Sequence, residues 1–417
     1  AILFFAQLPS AWAQDATEET SDARQDIVVV TATRRAESIQ DVPISATAYS
    51  AETIDRLRLQ STSDIGDQAP NINLVQGNFG FGAPIISVRG VTNGDFSATS
   101  NTPVTVYSDD IPLTQIVSQG FGLYDLERIE LLRGPQGTLF GRNATSGALQ
   151  FISAGPTSDF EAGVSATAAR HNALSLDGYI SGPLIKDKVE GRLAFNAAKR
   201  DGVVPNLALN QDESELEYWA GRALLDFHLA ENHTIRAKAA HSESHGTGVL
   251  FHNSLGDNEY LTNSLVGGPV EVGGDTAKFK AITLDLPERP EDVVFDEFMV
   301  KSELGLNNNW TLTSILGYTN LDFEEFNDDD ASLARGTHEY ANRQVEQLSA
   351  EFRLSGELGP VDLVSGLFFM KEDTKSVGAF EFTDDPLVGT LAQIGLETGF
   401  GLTPQLAATD RLVTTTE

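Results

Sequence analysis

The chain has 417 residues, no cysteine, two methionines and a net charge of -32, from 28 Lys+Arg against 60 Asp+Glu. Hydrophobic residues make up 41%, enough for folded cores, yet no apolar run reaches about 18 residues, which excludes a spanning helix. The lack of cysteine removes thiolate nucleophiles, thiolate metal sites and disulfides together, and acidity without clustered Lys/Arg argues against nucleic acid.

Ala1-Ile-Leu-Phe-Phe-Ala6 is an apolar stub, followed by Pro9 and Ala11-Trp-Ala13. It reads as the second half of a secretory signal peptide over residues 1–13, implying export into the envelope. A buried strand is the other reading, disfavoured by the abrupt polar shift that follows. Residues 14–35 read as a mobile leader. Within it stands Asp26-Ile27-Val28-Val29-Val30-Thr31-Ala32-Thr33. Consecutive β-branched residues in a polar setting pair with any free sheet edge. They suit either a strand-addition peptide captured through its main chain or an edge strand of the next domain.

Residues 36–155 read as one compact mixed domain. Val42 to Tyr49 alternates like a strand, Ser50 caps a short helix over Ala51 to Leu59, and Ser61 caps another over Thr62 to Gln68. Ile85 to Gly90 and Thr102 to Pro112 are further strands ending in turn residues. Then comes Asp125-Leu-Glu-Arg-Ile-Glu-Leu-Leu-Arg-Gly-Pro-Gln-Gly-Thr-Leu-Phe-Gly-Arg-Asn-Ala-Thr-Ser-Gly-Ala-Leu149. A charged amphipathic strand breaks there into a loop punctuated by Gly134, Gly137, Gly141 and Gly147. Such spacing suits a backbone turning repeatedly in a confined polar space.

The words from Glu127 to Ala144 resemble, almost letter for letter, the end of the plug domain of TonB-dependent outer-membrane receptors. The Ile-x-Val-Arg-Gly strand at 86–90 and the Val-x-Val-Tyr strand at 104–107 are similar to other words of that family. At Asp110 the chain departs from the family's usual glycine; aspartate tolerates positive φ better than most residues, so a small local cost is expected. Asp26, Ile27, Val28, Val29, Val30, Thr31 and Ala32 lie where the family carries its TonB box, and resemble it. That resemblance favours the partner-binding reading of the segment.

Residues 156–417 change to strands of period two: 161–170, 174–181, 188–199, 216–229, 233–243, 296–306, 310–324, 343–355 and 361–374. A soluble sandwich also alternates, but here short turns (184–187, 231–232, 307–309, 356–360) interleave with long connections (201–215, 244–295, 325–342). Alternating short and long connections mark a transmembrane barrel with short periplasmic turns. The short reversal at His171-Asn172 is the one exception. About nine strands cannot close a bacterial barrel, and residues 375–417 read as loop, so the chain is expected to be part of a longer protein. The resemblance implies a mixed α+β plug domain inside an antiparallel β-barrel of 22 strands.

No catalytic site is legible. Gly-x-Ser-x-Gly is lacking, and Gly80-Phe-Gly82 is too sparse for a nucleotide loop. His241, His245 and His252 have no strand-like metal spacing and read as solvated; Asn327-Asp-Asp-Asp330 lacks the spaced ligands of a calcium loop. No metal or cofactor is expected. Arg89, Glu127, Arg128, Glu130, Arg133 and Arg142 are the charges of interest, because buried charges must be paired. They suit an ion-pair network between plug and inward wall faces carrying Glu190, Arg192, Arg222 and Asp226, either static or loosened when a partner pulls.

The resemblance implies a non-enzymatic receptor in the outer membrane of a Gram-negative bacterium. It would import a scarce, large ligand, most often a ferric siderophore, with cobalamin, haem or oligosaccharide as alternatives. A TonB-type energy-transducing protein in the periplasm would be its partner, and the lipid bilayer its surroundings. A passive porin and a soluble β-sandwich adhesin or binding module are the rival readings.

Overall fold

The computed structural model describes residues 4–5, 29–35, 37–59, 62–76, 84–92, 102–121, 123–206, 209–247, 290–307, 309–328, 337–382 and 411–416. Most of the signal and leader segment, Asp26 to Val28, His252, and Asp329 and Asp330 therefore lie outside the described residues.

Ten short strands come first: β1 (Phe4–Phe5), β2 (Val29–Val30), β3 (Glu37–Ser38), β4 (Ser45–Ser50), β5 (Ile72–Gln76), β6 (Pro84–Val88), β7 (Val104–Ser108), β8 (Ile111–Leu113), β9 (Leu126–Arg133) and β10 (Gly147–Ser153). Helices α1 (Ala51–Leu57), α2 (Thr62–Gln68) and α3 (Gly137–Phe140) lie among them. Ser50 caps α1 by accepting from the Thr53 N–H, and Arg58 ends it at φ +53, short of the expected Leu59. Strands β4-β9-β10-β7-β8 form one sheet, with β7 and β10 parallel. Strand β9, interior to the sheet between β4 and β10, is covered on both faces. Ile129 and Leu131 pack into a core with Ile65, Leu74 and Val106; Leu132 packs on the other side with Val30, Ala32, Phe140 and Ala148.

The expected strand over 102–112 is a hairpin instead. Asp109 (φ +45) and Asp110 (φ +75) form its two-residue turn between β7 and β8. Positive φ at both central residues is the type I′ geometry, for which glycine at the second position is the default.

The remaining chain builds one antiparallel sheet, from β11 (Glu161–Ala168), β12 (Leu174–Ile185), β13 (Val189–Arg200), β16 (Leu216–Ala230), β17 (His233–Thr247), β18 (Pro290–Asn307), β19 (Trp310–Asp328), β20 (Thr337–Leu358) and β21 (Val361–Phe382). A small hairpin of β14 (Val204–Asn206) and β15 (Gln211–Glu213) fills the connection read as loop. At the edges, β1 pairs with β11 and β22 (Arg411–Thr416) pairs with β21. Residues 375–382 and 411–416 are thus strand rather than the expected loop. Likewise 325–328 and 337–342 pair in unbroken register, leaving only 329–336 between β19 and β20. The sequence mixes polar and apolar residues over these segments without a sustained alternation, so period-two hydrophobicity does not reveal them.

Burial along the wall is inverted relative to a soluble sheet. Leu367 (77% exposed), Phe369 (60%) and Leu193 (59%) point outward. Lys238 (4%), Glu297 (4%) and Arg222 (5%) are buried on the inward face against the plug. An apolar exterior around a polar lumen is the pattern of a membrane barrel wall, and a sandwich would reverse it.

Candidate functional site

The leader docks on the plug. β2 pairs antiparallel with β3, and Arg34 at φ +62 turns the chain between them, with its N–H donating to Thr31 O. Val30 and Ala32 are fully buried. Between them, the Thr31 main-chain N–H lies 2.9 Å from both carboxylate oxygens of Glu130, and the Thr31 hydroxyl donates to Oε1 at 3.1 Å. Glu130 is itself fully buried on β9 and receives Arg128 Nε at 2.7 Å and Gln150 Nε2 at 3.3 Å. Arg35 reaches Asp362, beside the short turn between β20 and β21, at 2.5 Å. The leader therefore sits at the short-turn end of the wall.

Plug and wall meet through three plug aspartates, each at positive φ: Asp109, Asp110 and Asp125 (φ +49). Asp125 receives Arg192 Nε at 2.8 Å, a second contact from Arg192 Nη2, and Arg222 Nη2 at 3.3 Å. Arg192 and Arg222 also lie over the Tyr179 and Tyr124 rings. Asp109 accepts from Lys238 Nζ at 2.6 Å, which also reaches Glu297 at 2.9 Å, while Ser153 supplies its N–H and hydroxyl. Burial alone would raise the Asp109 carboxyl, but Lys238, Arg222 and these hydrogen bonds hold it at about 2. Asp110 receives Arg34 at 3.0 Å, Lys301 at 3.1 Å and Arg353 at 3.6 Å. Against burial, these cations hold its carboxyl far below the usual range. On the same interface Phe121 stacks between Tyr218 and Phe295, with centroids 6.0 Å from each.

The six charges singled out from sequence are not one network. Glu127, Arg128 and Glu130 form one string of ion pairs within the plug. Arg133 lies against the Ser45 and Thr47 hydroxyls, and burial lowers its guanidinium, with neighbouring Arg89 adding to the effect. Neither Arg89 nor Arg133 has a carboxylate partner among the described residues. Arg142 is half exposed and 4.0 Å from Glu372. Of the wall residues, Arg192 and Arg222 do meet the plug, whereas Glu190 pairs with His228 and Asp226 with Arg236 inside the wall. His241 and His245 face outward beside Asp296, Asp292 and Glu243, and no metal-holding cluster occurs among the described residues. Sequence reasoning passed over Asp109, Asp125, Lys238, Lys301 and Arg353. The available signal was weak: acidic residues at turn positions, and lysines isolated on inward-facing strand positions.

Residues 38–148 match the family described as TonB-dependent Receptor Plug Domain. The chain is 31% identical over 206 residues to the pesticin receptor of Yersinia pestis, covering 48% of this chain and 29% of that protein. It is 31% identical over 198 residues to the vitamin B12 transporter of Photobacterium profundum, covering 44% and 30%. Among solved structures, the ferric yersiniabactin uptake receptor of Yersinia pestis superposes with a TM-score of 0.64 at 20% identity, over 81% of this chain and 50% of that one. The ferripyoverdine receptor of the Pseudomonas aeruginosa outer membrane gives 0.64 at 15%, over 85% and 45%. The chain thus matches less than a third of the length of these curated relatives and about half of the solved ones.

Proposed function

We propose, for a chain that carries the plug domain of the TonB-dependent receptors against an outer-membrane β-barrel wall, energy-coupled uptake of a scarce large ligand, a ferric siderophore in the first instance. The observation that carries this reading is the docking of Val30, Thr31 and Ala32 on the plug, with Thr31 bonded to Glu130 of the interior strand β9. A β-branched handle at the short-turn end is bonded to an interior strand of the plug sheet, paired on both sides. A periplasmic energy-transducing protein that captures residues 26–32 by strand addition meets a two-residue β2–β3 ladder among the described residues, a short pairing to displace. Releasing Val30 costs about 2 kcal/mol of burial, and the charge-assisted bond to Glu130 costs about as much again. Tension along the leader then bears on β9 and on its ladders to β4 and β10.

A siderophore as ligand draws support from the relatives' names, which include a ferric-pyoverdine receptor, although a vitamin B12 transporter stands among them. Cobalamin, haem and oligosaccharide are therefore the next ligands to try. A passive porin fits poorly with a lumen occupied by a plug ion-paired to the wall, and the outward apolar face disfavours the adhesin. The test is uptake of a radiolabelled ferric siderophore by cells carrying the full-length protein, with and without residues 26–32. Uptake abolished by the deletion, at equal receptor amount, is expected; undiminished uptake would mean a passive channel.

A further inference from the structure

Asp110 stands where three parts of the molecule meet. Arg34 comes from the leader, Lys301 from β18 and Arg353 from β20, and all three cations converge on its carboxylate. Arg34 is deeply held: its side chain is 4% exposed, Nε donates to Leu139 O at 3.1 Å, and the guanidinium lies 4.2 Å from the Phe140 centroid. Arg353 also donates to the main-chain oxygen of Arg34 at 3.4 Å. The leader is therefore fastened to the barrel wall as well as to the plug.

Resting on the uptake reading above, we propose that Asp110 is the positioning residue that latches the leader in its docked state, releasing Arg34 under tension and recapturing it afterwards. The charges at this site make such a latch reversible. When Arg34 leaves, Asp110 keeps Lys301 and Arg353, so no buried carboxylate is stranded. The departing guanidinium goes to water. If Asp110 loses its charge, three cations are left with Glu303 and Glu351, each 3.3 Å from one wall cation. Of the three, Arg34 alone is not anchored in the wall ladder, so repulsion acts to expel the leader. The backbone supports the same assignment. At φ +75 a glycine would make the turn at no steric cost, so a side chain here must repay its strain through its contacts. Asparagine tolerates the same conformation, which lets charge be separated from shape.

The test uses the full-length receptor in outer-membrane preparations without ligand or energy-transducing partner, in a single-cysteine background. Val30→Cys reports the leader and Val106→Cys, in the plug core, reports the plug; both valines are fully buried. Adding Asp110→Asn is expected to speed maleimide labelling at position 30 about tenfold or more while leaving position 106 slow, the range set by losing one charge-assisted hydrogen bond. Arg34→Leu, which keeps apolar contact with Phe140, is expected to speed it similarly, with no further gain in the double variant. Unchanged labelling at 30, faster labelling at both positions, or additive effects would each overturn the latch. Uptake lost on deleting 26–32 with labelling unmoved by Asp110→Asn strikes the latch alone. Faster labelling with uptake indifferent to the deletion strikes the energy coupling alone.

Discussion

The main-chain N–H of Thr31 is held by the carboxylate of Glu130, 99 residues further along the chain. A buried carboxylate that accepts a backbone donor, a guanidinium and an amide cannot be neutralised without leaving Arg128 facing an uncharged partner. Glu130→Gln is therefore expected to lower plug stability by about 3 kcal/mol and to speed hydrogen exchange at Thr31. Calorimetry and exchange on the refolded receptor check it; an unaltered Thr31 amide would show that Glu130 does not hold the leader.

Asp109 and Lys238 set an acid limit on plug docking. The folded carboxyl is held at about 2, against about 3.9 in an unfolded chain. A depressed carboxylate contributes stability above its unfolded value and loses it as pH falls, here between about 4 and about 2, on the order of 2 kcal/mol in all. In Lys238→Met, Asp109 and Glu297 face each other without their shared cation. With its folded value raised toward or past the unfolded one, Asp109 has less stability to lose on acidification, so the variant is less stable at neutral pH and its acid-induced loss shrinks or reverses. Denaturant midpoints measured from pH 2 to 7 for parent and variant check both the window and its shrinkage; coincident profiles would remove Lys238 from the account.

What was legible in the sequence follows from which forces are local. The nine long wall strands could be read because lipid on one side and a packed lumen on the other impose a period of two. β1, β14, β15, β22 and the strand extensions at the rims escaped, since they are too short or too weakly alternating in sequence for a period of two to register. The plug could be read through its family words and through Ser50 as a cap. The pairing of charges could not. Asp125 meets Arg192 and Arg222 across 67 and 97 residues, a relation set by how the wall curves around the plug. Thr31 and Glu130 were both singled out, but nothing local indicates that they touch.

Phe121 holds the plug to the wall by a different force. It lies nearly parallel to Tyr218 and Phe295, at interplanar angles of 18° and 13°, and is 3% exposed. Phe121→Ala removes the central ring of a three-ring stack and leaves a cavity between two bodies that cannot both collapse into it. The expected loss is about 3 to 4 kcal/mol, insensitive to salt, because no charge is involved. Salt titration of plug melting separates this variant from Lys238→Met, and a salt-dependent loss would point to disturbed ion pairs instead.

Two different needs account for three of the four glycines of the 125–149 motif, and alanine substitution tells them apart. Gly134 and Gly141 have φ of +96 and +69, so they are needed for conformation. At Gly147 the reason is space: a Cβ would fall 2.5 Å from the main-chain oxygen of Leu132 on neighbouring β9. That atom belongs to the ladder and cannot swing away, so β9 and β10 must separate where Glu130 and Gln150 also meet. At Gly137, opening α3, a Cβ would meet nothing within 4 Å and no positive φ is required. Gly147→Ala should therefore cost about 3 kcal/mol, while Gly137→Ala should be neutral or gain a few tenths through a less flexible unfolded chain. Denaturation of the two variants side by side checks this. Equal losses would mean that the motif's glycines serve the loop as a whole rather than position by position.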